Sequence, residues 1–250
     1  MNAPLHGNTR TLVLTGASRG IGHATVKKFG ASGWRIITVS RQPFSALCPW
    51  PGGGANHVQL DLGDPVELGR GIEEIRHRLG GDGLHALVNN AAVSPKGPNG
   101  KRLGAMDTPF DLWRQVFNVN FFAPVALARG LVEELSKAQG CVVNVTSIAG
   151  SRVHPFAGSA YATSKAALAS LTREMAADFG PLGVRVNAIS PGEIDTAILS
   201  PGTEKLVAEQ IPMHRLGTPD EVAKAIYFLV TEASSYVNGA ELHINGGQHV

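Results

Sequence analysis

Cysteine is nearly absent from this chain: Cys48 and Cys141 are the only two. That is too few for a disulfide framework, and neither has a neighbouring cysteine or histidine at metal-ligand spacing. Both are expected to be reduced and structural, and no metal site is expected. Charge is also sparse. Only 17% of residues are charged and the net charge is +2, so the basic field that binds nucleic acid through its phosphates is missing, as is any long Lys/Arg run. No stretch reaches the roughly 18 uninterrupted apolar residues of a membrane span, and residues 1–10 lack the apolar centre of a signal peptide. These absences point away from nucleic acid and membrane partners and toward a cytoplasmic location.

What is present is apolar material and glycine. Hydrophobic residues make up 43% of the 250, enough for a sizeable core and incompatible with a disordered chain. The 30 glycines exceed the average usage of about 7%, which implies tight turns or close approach of backbone to a ligand.

Short apolar runs alternate with longer amphipathic segments from end to end, the pattern of βα units around a parallel sheet. Seven strands are predicted: Thr11–Leu14, Arg35–Val39, His57–Leu60, Ala86–Val88, Cys141–Val145, Val184–Ile189 and Glu241–Ile244. They are mostly Val/Ile-rich, as strands buried on both faces should be. Helices are predicted over Ile21–Ala31, Pro65–Leu79, Phe110–Ser136, Ser159–Phe179 and Asp220–Val230. Residues 42–56 and 94–104 read as loops. No repeat or linker interrupts the alternation, so the chain is expected to form one α/β Rossmann domain over residues 1–250, with a doubly wound parallel sheet.

The first predicted strand runs into Thr15-Gly16-Ala17-Ser18-Arg19-Gly20-Ile21-Gly22, and a helix follows at once. Glycines here let the backbone approach a pyrophosphate, and the free amides at the helix start favour its charge. Sites for NAD commonly place an acidic residue after the second strand to hold the ribose hydroxyls. This chain has Ser40-Arg41 instead. An arginine pairs with a 2′-phosphate that a carboxylate would repel, and Arg19 can close on the same phosphate, so NADP(H) is the expected cofactor. Asp61, after the third strand, suits the adenine edge or a turn.

Tyr161 and Lys165 lie four residues apart on a predicted helix, on one face and one turn apart. An ammonium group close to the phenol is expected to draw its pKa down from about 10, making it a usable general acid or base. Ser147 follows the fifth strand, at an edge where ligands bind in open α/β sheets. By position alone, Thr146 competes with it, and capping the next turn is an alternative use of either hydroxyl.

With these motifs in order, the chain resembles the short-chain dehydrogenase/reductase family from Thr11 to Gly247. The resemblance rests on the glycine turn, Asp61, Asn89-Asn90-Ala91-Ala92, Asn120, Ser147, Tyr161 with Lys165, Pro191-Gly192 with Thr196, the segment Arg215 to Ala223, and Asn245-Gly246-Gly247. It implies hydride transfer between a carbonyl or alcohol and the nicotinamide, with Tyr161 as proton donor and Ser147 on the substrate oxygen. Lys165 would bind the nicotinamide ribose and tune Tyr161. Asn120, rather than its neighbour Asn118, would hold a water leading from Lys165 to solvent. Gly16, Ser18, Arg19, Gly20, Ile21 and Gly22 would line the cofactor together with Ser40, Arg41, Asp61, Leu62, Asn90 and Ala91. Pro191, Gly192, Ile194 and Thr196 would lie by the nicotinamide. The resemblance also implies a homotetramer.

Substrate recognition is expected in residues 193–215 and in the loops beginning at Ser94 and Gly150. Lys96, Lys101, Arg102, His154, His214 and Arg215 give these segments positive character, which suggests an anionic or phosphopantetheine-linked substrate. The 3-oxoacyl-(acyl-carrier-protein) reductases are similar in the Ala17-to-Gly22 turn and in the arginine after the second strand. They usually carry a basic docking patch after the catalytic helix, where this chain has Asp178-Phe179-Gly180-Pro181-Leu182-Gly183. A small ketone, sugar or steroid is the alternative substrate, and a non-catalytic dinucleotide sensor is the alternative to an enzyme.

Overall fold

The computed structural model describes residues 9–44, 53–196 and 202–250. Cys48, the centre of the 42–56 loop and residues 197–201 of the expected substrate segment lie outside them. Seven strands form one wholly parallel sheet in the order β3-β2-β1-β4-β5-β6-β7. They are β1 Thr11–Thr15, β2 Arg35–Ser40, β3 His57–Gln59, β4 Ala86–Asn89, β5 Cys141–Val145, β6 Arg185–Pro191 and β7 Glu241–Ile244. The sequence placed all seven within two residues of these limits.

Alternation along each strand builds two cores, one on either face of the sheet. Val13, Ile37, Leu87, Val142 and Val186 point to the face covered by α2 (Pro65–Leu79) and its neighbours. Leu12, Leu14, Ile36, Val88, Val143 and Ile189 point to the other, where Val26 and Phe29 of α1 (Gly20–Ala31) meet Val222, Ile226 and Leu229. Cys141 is buried in this second core, and burial pushes its thiol up to about 11, so it stays an unreactive packing residue.

Helix ends follow local chemistry. Asp64 caps α2 by accepting from the Val66 and Glu67 amides at 2.8 and 3.2 Å, Pro65 opens the first turn, and left-handed Gly80 closes it. The last long helix, Pro219–Val230, starts with a reciprocal capping box between Thr218 and Glu221. By contrast, α1 starts at Arg19 with no side-chain cap and no acidic residue in its first turn. Its amides are left facing the crevice.

One predicted helix is broken. Phe110–Ser136 forms α3 (Phe110–Phe117), a π-turn over Asn118–Phe122, α4 (Ala123–Gly130) and α5 (Val132–Lys137). Pro124 lacks the amide that would bond the carbonyl of Asn120 in an α-helix, and such π-turns collect at functional sites. Helix α6 spans Ser159–Phe179 as expected. A short helix α7, Thr203–Gln210, was not expected; it lies on the described part of the 193–215 segment. The helix Pro219–Val230 is α8.

Candidate active site

Sheet order reverses between β1 and β4, and the crevice at the carboxyl ends of these strands is where ligands bind in such sheets. The glycine turn closes β1 there. Gly16 and Gly20 adopt positive φ, 73° and 54°, which residues with a Cβ rarely take. Gly22 has a different reason to be glycine: a Cβ would sit 2.0 Å from the Gly16 carbonyl oxygen. Asn90 locks the turn by donating from Nδ2 to the carbonyls of Thr15 and Gly16 at 3.0 and 2.9 Å, while the Thr15 hydroxyl accepts from the amides of Asn90 and Ala91. Asn89 is structural, donating to Asn144 at 2.9 Å.

The Gly16 amide bonds the Val39 carbonyl at 2.9 Å, which sets Ser40 and Arg41 beside the turn. Arg19 and Arg41 are both exposed, and among the described residues neither guanidinium is engaged. The Asp61 side chain accepts from the Gly63 amide at 2.8 Å, a turn role that leaves its second oxygen for a ligand. Leu62 is buried in the core beneath. Across the crevice, β6 ends at Pro191-Gly192, Ile194 packs in the same core as Ala17, and the Thr196 methyl lies 3.3 Å from where a Gly20 Cβ would be. Residues more than 170 apart in sequence thus face one another over the turn.

The next strand ends carry the polar centre. The Thr146 hydroxyl is engaged away from the crevice, its one proton lying between the Ile189 carbonyl at 2.8 Å and the Glu241 carboxylate at 2.6 Å. Ser147 caps the short turn Ile148–Gly150, accepting from the Ala149 amide at 3.2 Å, and its hydroxyl is close enough to Tyr161 to draw the phenol's pKa downward. Tertiary structure therefore separates two hydroxyls that position alone could not. Lys165 is 2% exposed and donates from Nζ to the Val145 carbonyl at 2.6 Å; the same Nζ lies 5.8 Å from the centre of the Tyr161 ring. Asn120 is fully buried, its side chain clamping both backbone groups of Val93 and donating to Ser164 at 3.1 Å. Asn118 turns the other way, to the Gly63 carbonyl.

Two expectations are corrected. The phenol of Tyr161 is pushed above its ordinary value, not drawn below it: burial raises it, the hydrogen bond from Ser147 opposes this, and the charge of Glu193 raises it further. Lys165 does not reverse the shift because burial also holds its own ammonium down to about 7. The second correction concerns the basic character of the substrate loops. Arg215 is paired with Glu221 at 2.7 Å, and Arg102 donates to the Ala157 carbonyl at 2.8 Å. His154 is buried against Glu193 at 2.7 Å, and Lys96 donates to the Phe156 carbonyl. His154 is thus withdrawn from the surface, whereas Lys96, Arg102 and Arg215 are anchored but stay exposed, and Lys96 and Arg102 keep their charge uncompensated by these bonds. Glu193 was the residue sequence reasoning passed over, although its place directly after Pro191-Gly192 was the available signal.

Among the described residues no group of His, Cys, Asp and Glu is placed to hold a metal, and no helix is long and apolar enough to cross a membrane. A doubly wound sheet with a glycine turn at its switch point, a hydroxyl after β5 and a phenol and an amine on the adjoining helix α6 defines a dinucleotide-dependent oxidoreductase class. The chain belongs to the short-chain dehydrogenase/reductase family. A family model described as enoyl-(acyl carrier protein) reductase matches residues 16–249. Protein FixR of Bradyrhizobium diazoefficiens is 61% identical over 98% of this chain and 88% of that protein. A solved oxidoreductase of the family from Brucella ovis, in complex with a partially ordered NAD, is 63% identical, with TM-score 0.84 over 95% of this chain and all of that one. A 3-oxoacyl-(acyl carrier protein) reductase from Brucella melitensis with bound NAD is 31% identical, with TM-score 0.85 over 96% of this chain and 91% of that one.

Proposed function

We propose that this protein is an NADP(H)-dependent oxidoreductase that interconverts a carbonyl and an alcohol, with Tyr161 as general acid in reduction and base in oxidation. The observation that carries this reading is the convergence of Ser147, after β5, with Tyr161 and Lys165 of α6 at the crevice. A hydride shift onto a carbonyl carbon leaves charge on the oxygen, and a phenol held protonated by burial is suited to donate to it. Ser147 holds that oxygen by hydrogen bonding. Lys165 gives one of its donors to Val145 and has the others to hold a ribose hydroxyl and to feed protons toward Tyr161. The Asn120 carbonyl, lacking its α-helical donor because residue 124 is proline, is suited to bind a water on the route from Lys165 to solvent.

The residues fit the cofactor: the uncapped α1 amides and the left-handed glycines form a pyrophosphate cradle, and when bound the nicotinamide supplies or accepts the hydride. Arg19 and Arg41 favour the 2′-phosphate of NADP(H). Because the two solved relatives hold NAD, the cofactor is tested directly with both forms. Residues 1–250 act as one cofactor-binding domain, with 193–215 facing the substrate. The protein works on a small molecule, in the cytoplasm, as a homotetramer whose mass sedimentation would report.

The deciding experiment is a carbonyl panel, including an acyl thioester, with NADPH and NADH. Tyr161→Phe is expected to lower turnover by about 10²- to 10⁴-fold while NADPH binding is kept. Turnover retained in Tyr161→Phe overturns the proton-donor role.

A further inference from the structure

Three loops from neighbouring strands meet at the carboxyl ends of the sheet. Lys96 comes from the loop after β4, His154 from the loop after β5, and Glu193 from the end of β6; these strands are adjacent in the sheet. His154 and the Glu193 side chain are 7% and 14% exposed. The Phe156 amide donates to His154 Nδ1 at 3.2 Å, so that nitrogen carries no proton. Nε2 must then be the protonated nitrogen of a neutral ring, and it donates to Glu193 Oε1 at 2.7 Å. The backbone thereby fixes the tautomer, and the tautomer fixes the carboxylate. Neutral His154 leaves the negative charge of Glu193 in place, and that charge acts on both Tyr161 and Lys96. The imidazole occupies one carboxylate oxygen and leaves Oε2 for a ligand.

We propose that Glu193, oriented by His154, is a specificity-determining residue that accepts a hydrogen bond from a hydroxyl group of the substrate, making the substrate a short, uncharged hydroxy-carbonyl compound or the corresponding diol. This rests on the carbonyl-alcohol reading above and names its substrate class. The Glu193 carboxylate and the Lys96 ammonium offset one another, so the second carboxylate oxygen is best satisfied by an uncharged donor such as a hydroxyl. A recess lined by Pro95, Leu103, Thr108, Leu112 and Val116 adjoins Tyr161, which gives the hydrocarbon part of the substrate a largely apolar surface beside the phenol.

The test compares kcat/KM for 3-hydroxybutan-2-one and butan-2-one, which differ by one hydroxyl, and for acetoacetate and an acetoacetyl thioester as anionic competitors, with NADPH binding followed separately by fluorescence. Wild type is expected to prefer the hydroxy ketone about 10- to 100-fold, the size of one hydrogen bond to a charged group. In Glu193→Gln the ratio of the two neutral ketones is expected to fall to within a few-fold of one, and in Glu193→Asp to be partly kept. Wild type that prefers butan-2-one or the thioester overturns the proposal without any variant, and so does an unchanged ratio in a Glu193→Gln protein that binds NADPH. Tight NADPH binding with no turnover of any carbonyl or alcohol sinks both this proposal and the enzymatic reading; turnover with the wrong preference sinks this one alone.

Discussion

The two sides of the crevice are made of different material. On the cofactor side, around β1 and β2, the chain presents backbone: left-handed glycines, uncapped helix amides and carbonyls pinned by Asn90, with two exposed arginines at the rim that no described residue engages. On the substrate side, around β4 to β6, it presents side chains from three loops, with His154 paired to Glu193 beneath and the exposed Lys96 and Arg102 anchored to backbone carbonyls. Backbone geometry serves a ligand whose phosphates are always the same. Paired side chains serve a ligand that differs from one relative to the next, because exchanging one loop residue changes the recognition without moving the sheet.

The largest effect, expected of Tyr161→Phe, falls where the two sides meet. On the cofactor side Gly22→Ala comes next. Its added carbon collides with the Gly16 carbonyl, and forcing it in costs about 1–3 kcal/mol, so NADPH and NADH affinities measured by titration should both drop roughly tenfold or more. Equal binding to wild type would mean that the turn does not need its shape. Arg41→Asp should act on one nucleotide only. Removing a charge-assisted contact and adding repulsion is expected to weaken NADPH by about 10- to 100-fold with NADH little changed, and parallel losses would contradict a phosphate clamp.

A smaller effect reads the buried amine between the two sides. The unfolded chain takes up the Lys165 proton as pH falls below its ordinary 10.5, whereas the folded chain holds it off until about 7. Between those values the unfolded state binds more protons, so this residue makes stability rise with pH, and the contribution is level below about 7. The denaturant midpoint of wild type minus that of Lys165→Met should therefore increase from pH 7 to pH 9. A constant difference would show that the folded protein carries this lysine charged across the range.

Much of the fold was legible because strands buried on both faces are continuous apolar runs and helices carry a different period. Helix Phe110–Ser136 failed for a reason visible only locally: periodicity continues through Pro124, but the backbone switches to a π-turn over Asn118–Phe122, just before that proline. Helix α7 was hidden by its shortness and by the Pro201-Gly202 pair before it. In the site, the spacing of Tyr161 and Lys165 announced proximity correctly but misjudged its electrostatic result. Spacing says that an amine is near a phenol; only burial says that both lose charge.

By itself the sequence determined the order of elements, the glycine turn, the arginines at the end of β2 and in the turn, and the one-turn spacing of Tyr161 and Lys165. All of these are local, within a few residues along the chain, where propensity and steric rules act directly. Only the tertiary structure decided that Ser147 and not Thr146 faces the phenol, that Thr196 crosses to Gly20, and that His154 is buried while the other basic loop residues stay exposed. It alone also paired His154 with Glu193. Those outcomes depend on which strand ends become neighbours and on how deeply each charge is buried, and neither quantity is carried by any single stretch of chain.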